Sequence, residues 1–268
     1  GVIRDYVGGV PDLKARVIRA IGDPVARFRE DHLRMLRAAR FASVLDFTLD
    51  PATQAAMMAH ATWIKWVSAE RIASEMTRLL CESPRPSVGL RLLRVTGLLR
   101  EFLPEVEALY GTEQPPRYHP EGDVWTHTCL MLDDVPAPRD PVLAWSLLLH
   151  DIGKPVTFCR KDDAEDDGNQ IRFPSHAPVG AAMAEVILKR LKQPTALIEQ
   201  VKGVVADHMR GADAEKMRPA TLRRFMGSPV FPVLLEVMRL DIKHSNKQSA
   251  PWLFLKEAFE AFRAEPVL

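Results

Sequence analysis

The dipeptide His150-Asp151 is the part of the sequence best suited to chemistry. It ends the apolar run Ala144–Leu149 and is followed by the sequence Ile-Gly-Lys-Pro at 152–155, where glycine and proline stop a helix. Adjacent side chains point apart inside a helix, but at such a terminating turn both can bend toward one centre. An imidazole and a carboxylate are the ligand pair that borderline divalent metals such as Zn, Mn, Fe, Ni and Co prefer. The dipeptide therefore predicts part of a metal site.

Four further residues have types and positions that could complete this site. They lie on or beside four other predicted helices, each in an amphipathic context that could turn one polar side chain inward: His127, His176, His208 and Asp241. With the dipeptide they supply four imidazoles and two carboxylates. The alternative is that they are separate surface or core residues. The remaining histidines lack a partner pattern and are expected to be structural: His32, His60, His119 and His244.

The order of these residues resembles the HD superfamily of metal-dependent phosphohydrolases, an all-helical fold, over about residues 112–245. The resemblance implies that its H…HD…D pattern, matched by His127, His150, Asp151 and Asp241, holds one metal ion. It implies that His176 and His208 bind a second ion, with Asp151 as the bridge. One or two divalent ions are thus expected, drawn from Ni, Mn, Fe, Co, Zn or Mg.

Two cations a few ångströms apart would activate a shared water near neutral pH and polarise the phosphoryl oxygens that it attacks. Asp151 is therefore a predicted catalytic residue as well as a ligand. Lys154, just past the dipeptide, is placed to neutralise charge on a phosphate, and Arg210 is a second candidate for that role. The alternative for both is a solvated surface cation.

The elements that must position these residues are almost all helices, because apolar residues recur mostly at helical spacing. The pattern predicts an all-α chain with one long helix over about 27–45. A connection over Gly111–Gly122, rich in proline and glycine, separates two helical bodies. Further helices are predicted at 68–80, from Pro84 or Pro86 to about 99, and at 123–134, 140–151, 176–192, 195–208, 219–226, 229–245 and 252–263.

Composition limits the possible partners. The 268 residues carry a net charge of +1, so a nucleic-acid site must be local. No apolar stretch approaches the roughly 20 residues that a bilayer crossing needs. The three cysteines are widely and irregularly spaced, which fits reduced thiols better than disulfides. Together these observations favour a cytoplasmic protein. Residues 14–40 carry eight basic and three acidic side chains. We expect this basic strip to contact tRNA phosphates through outward-facing residues such as Arg16 and Arg29.

Three motifs in the first 110 residues resemble the neck region of bacterial class II tRNA nucleotidyltransferases, the CCA-adding enzymes and their poly(A) polymerase relatives. They are the GGVPDL turn at Gly8–Leu13, the E-D-x-x-R motif at Glu30, Asp31 and Arg34, and the E-R-I-x-x-E run at Glu70–Glu75. The resemblance implies that Asp31 and Arg34 hydrogen-bond the base of an incoming CTP or ATP. A spacing of three would place them on one helix face, although that spacing also suits a plain surface ion pair.

One departure from the family pattern is important. The D-x-D pair that holds the catalytic Mg²⁺ in the family's head does not occur in this sequence. We therefore expect residues 1–26 to be the last part of a head, 27–110 a neck that binds nucleotide and RNA, and 111–268 an HD domain, and we expect no nucleotide addition by this chain alone.

Two functions remain open at this point. The first is hydrolysis of phosphomonoesters or 2′,3′-cyclic phosphodiesters, the substrate class that the resemblance implies. The second is a tRNA-docking module whose metal site is vestigial or structural. The six-residue ligand set favours hydrolysis, because a purely structural site needs no more than four ligands.

Overall fold

The computed structural model describes residues 4–160 and 171–264. It divides into two compact units. Unit 1 comprises residues 1–107, 135–141 and 190–193, and unit 2 comprises residues 108–134, 142–189 and 194–268. The predicted division by function, with boundaries after residues 26 and 110, stays a prediction.

The prediction of an all-helical chain is confirmed. In unit 1 the elements are α1 (Gly9–Ala15), β1 (Val17–Ile18), α2 (Pro24–Glu30), α3 (Leu33–Leu45), β2 (Thr48–Leu49), α4 (Pro51–Ala59), a 3-10 helix (Ala61–Trp66), α5 (Ala69–Glu82), α6 (Pro86–Val95), α7 (Leu98–Phe102) and α8 (Pro104–Glu107). The two short strands pair in parallel, with Val17 opposite Thr48.

The core of unit 1 lies between α3, α5 and α6, where Leu36, Met76 and Leu90 are fully buried. One ion pair is buried with them, because Arg40 Nε donates to Glu75 Oε2 at 2.5 Å. Glu75 closes the E-R-I-x-x-E motif, so the last residue of that motif has a structural role in the core.

The prediction of a single long helix over 27–45 is wrong, because the helix is interrupted between α2 and α3. Asp31 has an extended backbone (φ −152°, ψ 104°), and its carboxylate accepts a hydrogen bond from Leu33 N at 3.1 Å. An aspartate in this position satisfies a free N–H at the start of the next helix, which competes with continuing the first. The predicted helix over 86–99 is likewise divided, into α6 and α7.

The elements of unit 2 follow the predicted order. They are α9 (Val124–Asp134), α10 (Pro141–Leu149), α11 (Lys154–Thr157), β3 (Cys159–Arg160), β4 (Ile171–Arg172), α12 (His176–Arg190), α13 (Thr195–Asp207), a second 3-10 helix (Arg210–Lys216), α14 (Pro219–Met226), α15 (Phe231–Lys243) and α16 (Ala250–Ala264). Strands β3 and β4 pair antiparallel.

Helix α10 is the centre of unit 2. Its sequence is apolar on every side, and each residue from Ala144 to Leu149 is at most 1% exposed. A helix that is apolar all round must be surrounded by protein. Consequently the two residues that follow it, His150 and Asp151, enter the interior, at 1% and 3% exposure. None of the helices in the described ranges is long and apolar enough to cross a membrane.

Candidate functional site

A tight turn after α10 brings α12 against the His-Asp dipeptide. A Cβ atom on Gly153 would lie 2.3 Å from the carbonyl oxygen of His176 and 2.8 Å from the nitrogen of Gly180. Only glycine permits this approach of two backbones. The glycine after the dipeptide therefore positions His176, the first residue of α12, beside it.

The six predicted ligands come together in unit 2. Atoms of His127, His150 and Asp151 that can ligate a metal lie within 4.8 Å of one another. Asp241, on α15, joins them through its Oδ1, which is 3.3 Å from His127 Nε2. Helix α9, the turn after α10 and helix α15 thus bring these side chains next to one another.

A second group shares Asp151 with the first. Ligating atoms of Asp151, His176 and His208 also lie within 4.8 Å of one another. Asp151 Oδ1 is 3.6 Å from His176 Nε2 and 3.7 Å from His208 Nε2, while its Oδ2 is 3.1 Å from His150 Nε2. The two carboxylate oxygens therefore face different histidines, which is the arrangement that a bridging ligand requires.

Hydrogen bonds fix the tautomers of these histidines. The Nδ1 atoms of His150, His176 and His208 lie 2.9, 3.0 and 2.7 Å from main-chain carbonyl oxygens. A carbonyl oxygen only accepts, so each Nδ1 carries a proton and Nε2 is the nitrogen of each ring that faces Asp151. Such second-shell bonds are typical of histidines that bind metals.

Two of the four inward-facing nitrogens lack a hydrogen-bond partner in the described part of the chain, whereas His176 Nε2 and His208 Nε2 lie 3.3 Å from each other. His127 Nε2 and His150 Nε2 are buried without a hydrogen-bond partner among the described residues, although each lies near a carboxylate oxygen. Buried polar atoms are nearly always satisfied, so a proton or a metal cation belongs between each of these nitrogens and its carboxylate oxygen. These nitrogen and oxygen donors fit Zn, Mn, Fe, Ni or Co.

The charges of the cluster are set by burial and by neighbouring groups. Burial is the main cause that lowers the pKa of His176 to about 4 and keeps the pKa of His150 below its usual range. Burial would also lower the pKa of His127, but the carboxylates of Asp241 and Glu121 outweigh it and raise that pKa to about 9. His150 and His176 are therefore neutral near pH 7, as metal ligands must be, whereas His127 carries an extra proton that it must release to bind a metal ion.

Asp151 and Asp241 stay ionised in the interior. Burial would raise the pKa of each, but neighbouring cations hold both pKa values well below the usual range. Lys154 Nζ lies 2.7 Å from Asp151 Oδ2, and Lys247 Nζ lies 2.6 Å from Asp241 Oδ2. Each buried carboxylate thus has a lysine partner, which offsets the cost of burying its charge.

The two predicted phosphate-neutralising cations differ in position. Lys154 is 4% exposed, and its ammonium also donates to Gln114 Oε1 at 2.6 Å, so it belongs to the buried cluster. The side chain of Arg210 is 44% exposed, 3.5 Å from Asp207, and its guanidinium lies over the ring of Phe225. The structure does not bring Arg210 into contact with the described ligands.

Sequence reasoning missed three residues of this cluster. Glu121 Oε1 accepts from His127 Nδ1 at 2.7 Å and from His119 Nδ1 at 2.8 Å, so His119 has a partner after all. The sequence His-Pro-Glu at 119–121, just before α9, was an available signal. Lys247 carried no signal, because a lysine in a polar stretch after a helix is usually solvated.

In unit 1, Asp31 and Arg34 do not share a helix face, because Asp31 lies in the break between α2 and α3. Asp31 accepts from Arg71 Nη2 at 3.0 Å, while Arg34 Nη1 donates to Glu30 Oε2 at 2.7 Å. Partial burial would raise the pKa of Asp31, but the bond from Arg71 outweighs it, so the carboxylate is ionised. The two predicted nucleotide-binding residues are therefore held by different partners.

A cleft of about 600 Å³ lies beside Arg34 and is lined also by Arg27, Arg37 and Phe41. Arginines around an aromatic ring suit an anionic ligand with a flat group.

The two predicted RNA-binding arginines also differ. Arg16 pairs with Asp46 at 3.0 Å. Arg29 lies 5.9 Å over the ring of Trp63 and has no carboxylate partner among the residues described. The positive charge of Arg29 is thus more available to a phosphate.

Two regions of the chain match known protein families. Residues 46–110 match the family described as "Probable RNA and SrmB- binding site of polymerase A", and residues 119–241 match the HD domain. The second region contains all six predicted ligands.

Whole-chain comparisons give the same relationship. The "Multifunctional CCA protein" of Halorhodospira halophila is 34% identical over 280 residues, covering 98% of this chain and 65% of that protein. The "A-adding tRNA nucleotidyltransferase" of Deinococcus radiodurans is 36% identical over 247 residues, covering 88% of this chain and 54% of that protein. The chain thus spans between half and two thirds of the length of these relatives.

A solved structure shares the fold. The crystal structure of the Bacillus stearothermophilus CCA-adding enzyme in complex with CTP matches 97% of this chain and 54% of that chain, with a TM-score of 0.65 and 24% identity. The chain is therefore homologous to the CCA-adding enzymes, with one region that matches the probable RNA-binding site of polymerase A and a second that matches the HD domain.

Proposed function

We propose that unit 2 is a metal-dependent phosphohydrolase that acts on phosphomonoesters or 2′,3′-cyclic phosphodiesters. The observation that carries the proposal is the convergence of imidazole Nε2 atoms on the two oxygens of Asp151, with their Nδ1 protons engaged elsewhere. Such an arrangement is costly to build unless it binds cations.

The proposed ligands divide into two sets that share Asp151. His127, His150 and Asp241 would hold one ion with Asp151, and His176 and His208 would hold the other. Divalent ions at such a site supply an activated water near neutral pH and polarise phosphoryl oxygens.

Lys154 and Lys247 supply the rest of the site's positive charge. Each ammonium lies within 3 Å of a ligand carboxylate, so a phosphate bound at the cluster meets cations from the chain itself. A cavity of about 440 Å³ beside the cluster is lined by His208, Asp241 and Lys247, together with Tyr118 and Met238. Its mixed polar and apolar lining suits a phosphate carried on a sugar or nucleoside.

We propose that unit 1 binds RNA and, through Asp31 and Arg34, a nucleotide. The match of residues 46–110 to an RNA-binding region supports the first part, and the arginine-lined cleft beside Arg34 supports the second. By the same proposal, tRNA is the natural RNA partner and the protein acts in the cytoplasm.

The test of hydrolysis combines metal analysis with activity. Purified protein is analysed for bound metal and assayed on 2′,3′-cyclic AMP, 2′-AMP and p-nitrophenyl phosphate, alongside Asp151→Asn and Asp151→Ala. Removing the shared carboxylate is expected to abolish both metal binding and hydrolysis. The matched control is Asp213→Asn, an aspartate 71% exposed and paired with Lys216. An Asp151→Asn protein that retains full metal and full activity would refute the assignment.

The division of ligands has its own test. His176→Ala is expected to lose mainly one of the two ions, and an equal loss of both contradicts the division. If wild-type protein holds metal but hydrolyses no substrate of the panel, the alternative of a tRNA-docking module with a structural metal is supported instead.

A further inference from the structure

Four aromatic rings form a cluster on the surface of unit 1, which we call the tryptophan cluster: His32, His60, Trp63 and Trp66. The 3-10 helix over Ala61–Trp66 has three residues per turn, so Trp63 and Trp66 lie on the same side of it. Their rings are within 13° of parallel, with centroids 6.5 Å apart. The two indoles therefore present similarly oriented π faces.

Two histidines contact the tryptophan rings and restrict their orientation. His32 lies 5.3 Å from Trp63 and 5.2 Å from Trp66, and His60 stacks on Trp63 at 3.9 Å. Trp66 is nevertheless 72% exposed. A large ring that is oriented by its neighbours but left in water gains little for folding, and binding a flat ligand on it costs little conformational entropy.

Positive charge accompanies the rings. The Arg29 guanidinium lies 5.9 Å over Trp63 and has no carboxylate partner within the described part of the chain. Lys65, on the same 3-10 helix, has a side chain 59% exposed and pairs with Glu101. An exposed indole beside an available arginine matches a ligand that has both a flat face and a phosphate.

We propose that the tryptophan cluster is a stacking platform for an unpaired nucleobase of a bound RNA strand, with Arg29 contacting the adjacent phosphate. The inference rests on the proposed RNA binding of unit 1, because Trp63 and Trp66 fall within the matched RNA-binding region. It adds a mode of contact to that proposal. Phosphate contacts alone depend steeply on salt, whereas stacking requires the base.

The test measures the affinity of the full chain for two fluorescently labelled single-stranded RNAs by anisotropy. One has every base, and the other has the same backbone with abasic positions. Trp66→Ala is expected to weaken binding of the complete RNA about 5- to 150-fold, the range for losing one base–aromatic stack. It should leave the salt dependence and the affinity for abasic RNA unchanged. Trp66→Phe, which keeps a ring, should lose less.

The matched control is Leu45→Ala, an exposed apolar residue at the far end of α3 from the cluster. The platform is overturned if Trp66→Ala binds complete RNA with the affinity of the wild type. It is also overturned if Trp66→Ala and Leu45→Ala lose the same amount of affinity for that RNA. Equal wild-type affinity for complete and abasic RNA overturns it too. The underlying proposal fails separately, if wild-type protein binds neither RNA at low salt.

Discussion

Removing the Glu121 carboxylate should weaken metal binding without removing any ligand. Glu121 accepts hydrogen bonds from Nδ1 of both His127 and His119, at 2.7 and 2.8 Å. The first of these bonds orients the His127 ring and increases the basicity of its Nε2. Glu121→Ala removes this acceptor and leaves the buried Nδ1 of His127 with only the longer contact to the His244 carbonyl oxygen, at 3.3 Å.

The size of the effect follows from linkage. Loss of such a second-shell partner typically costs about 10- to 100-fold in metal affinity. At a metal concentration of about 100 times the wild-type Kd, bound metal stabilises the fold by about 2.7 kcal/mol. For Glu121→Ala at that concentration, the stabilisation falls to about 1.4 kcal/mol for a tenfold loss and about 0.4 kcal/mol for a hundredfold loss. The metal-induced rise in Tm should fall from about 5–11 °C to about 1–6 °C.

The assay is thermal unfolding of metal-free protein titrated with Mn²⁺ or Ni²⁺, with Kd measured independently by calorimetry. Metal-free Tm is recorded for each variant, which separates weaker binding from a weaker fold. Glu113→Ala is the control, since this glutamate is exposed in the same connecting segment. If Glu121→Ala and wild type bind metal with the same Kd, the second-shell role is wrong.

Three further outcomes are expected. Gly153→Ala should destabilise unit 2 by about 1–3 kcal/mol in denaturant unfolding, because the added Cβ would lie 2.3 Å from a backbone atom. The control Gly203→Ala, whose Cβ has its nearest contact at 3.5 Å, should be neutral or stabilising. Equal effects of the two substitutions on stability would contradict the close approach. Arg29→Glu should reduce RNA affinity and flatten the slope of affinity against salt by about one unit. Both effects should be larger than those of Arg16→Glu, because the charge of Arg16 is already paired with Asp46. Larger effects of Arg16→Glu in salt-titrated binding would argue against a phosphate contact by Arg29. Burial would raise the pKa of Glu105, but the hydrogen bond from Arg190 outweighs burial and lowers this pKa below its usual value. The Glu105–Arg190 pair therefore stabilises the fold above the pKa that Glu105 has in the unfolded chain, and this stabilisation is lost as the pH falls through the pKa in the folded protein. The stability difference between wild type and Glu105→Gln should therefore shrink between about pH 5 and pH 3, and a constant difference excludes the ion pair as its source.

Much of the candidate metal site could be predicted from local sequence. The apolar run before His150 predicts a buried helix, and a helix end followed by glycine places both residues of the dipeptide in the interior. The helices that carry His127 and Asp241 were predictable from their periodicity, since one face of each is apolar. Each of these inferences depends on neighbours within a few residues along the chain.

Unit 1 was less predictable. Periodicity favoured one helix through Asp31, but the local bond from its carboxylate to Leu33 N ends α2 and starts a new helix. A hydrophobic pattern records which face is buried, and it is insensitive to a side chain that competes for a backbone N–H. Asp31 consequently binds Arg71, forty positions away along the chain.

Sequence alone thus predicted the helical class, most helices of unit 2 and the buried dipeptide, whereas the tertiary structure decided which charges share the site. Glu121 and Lys247 acquire their roles only because packing brings them to His127 and Asp241. Trp66 likewise is an exposed ring beside His32 rather than a core residue, which its sequence context does not reveal. The physical reason is that periodicity specifies the face on which a side chain lies, while its partner is set by contacts between elements that are distant in sequence.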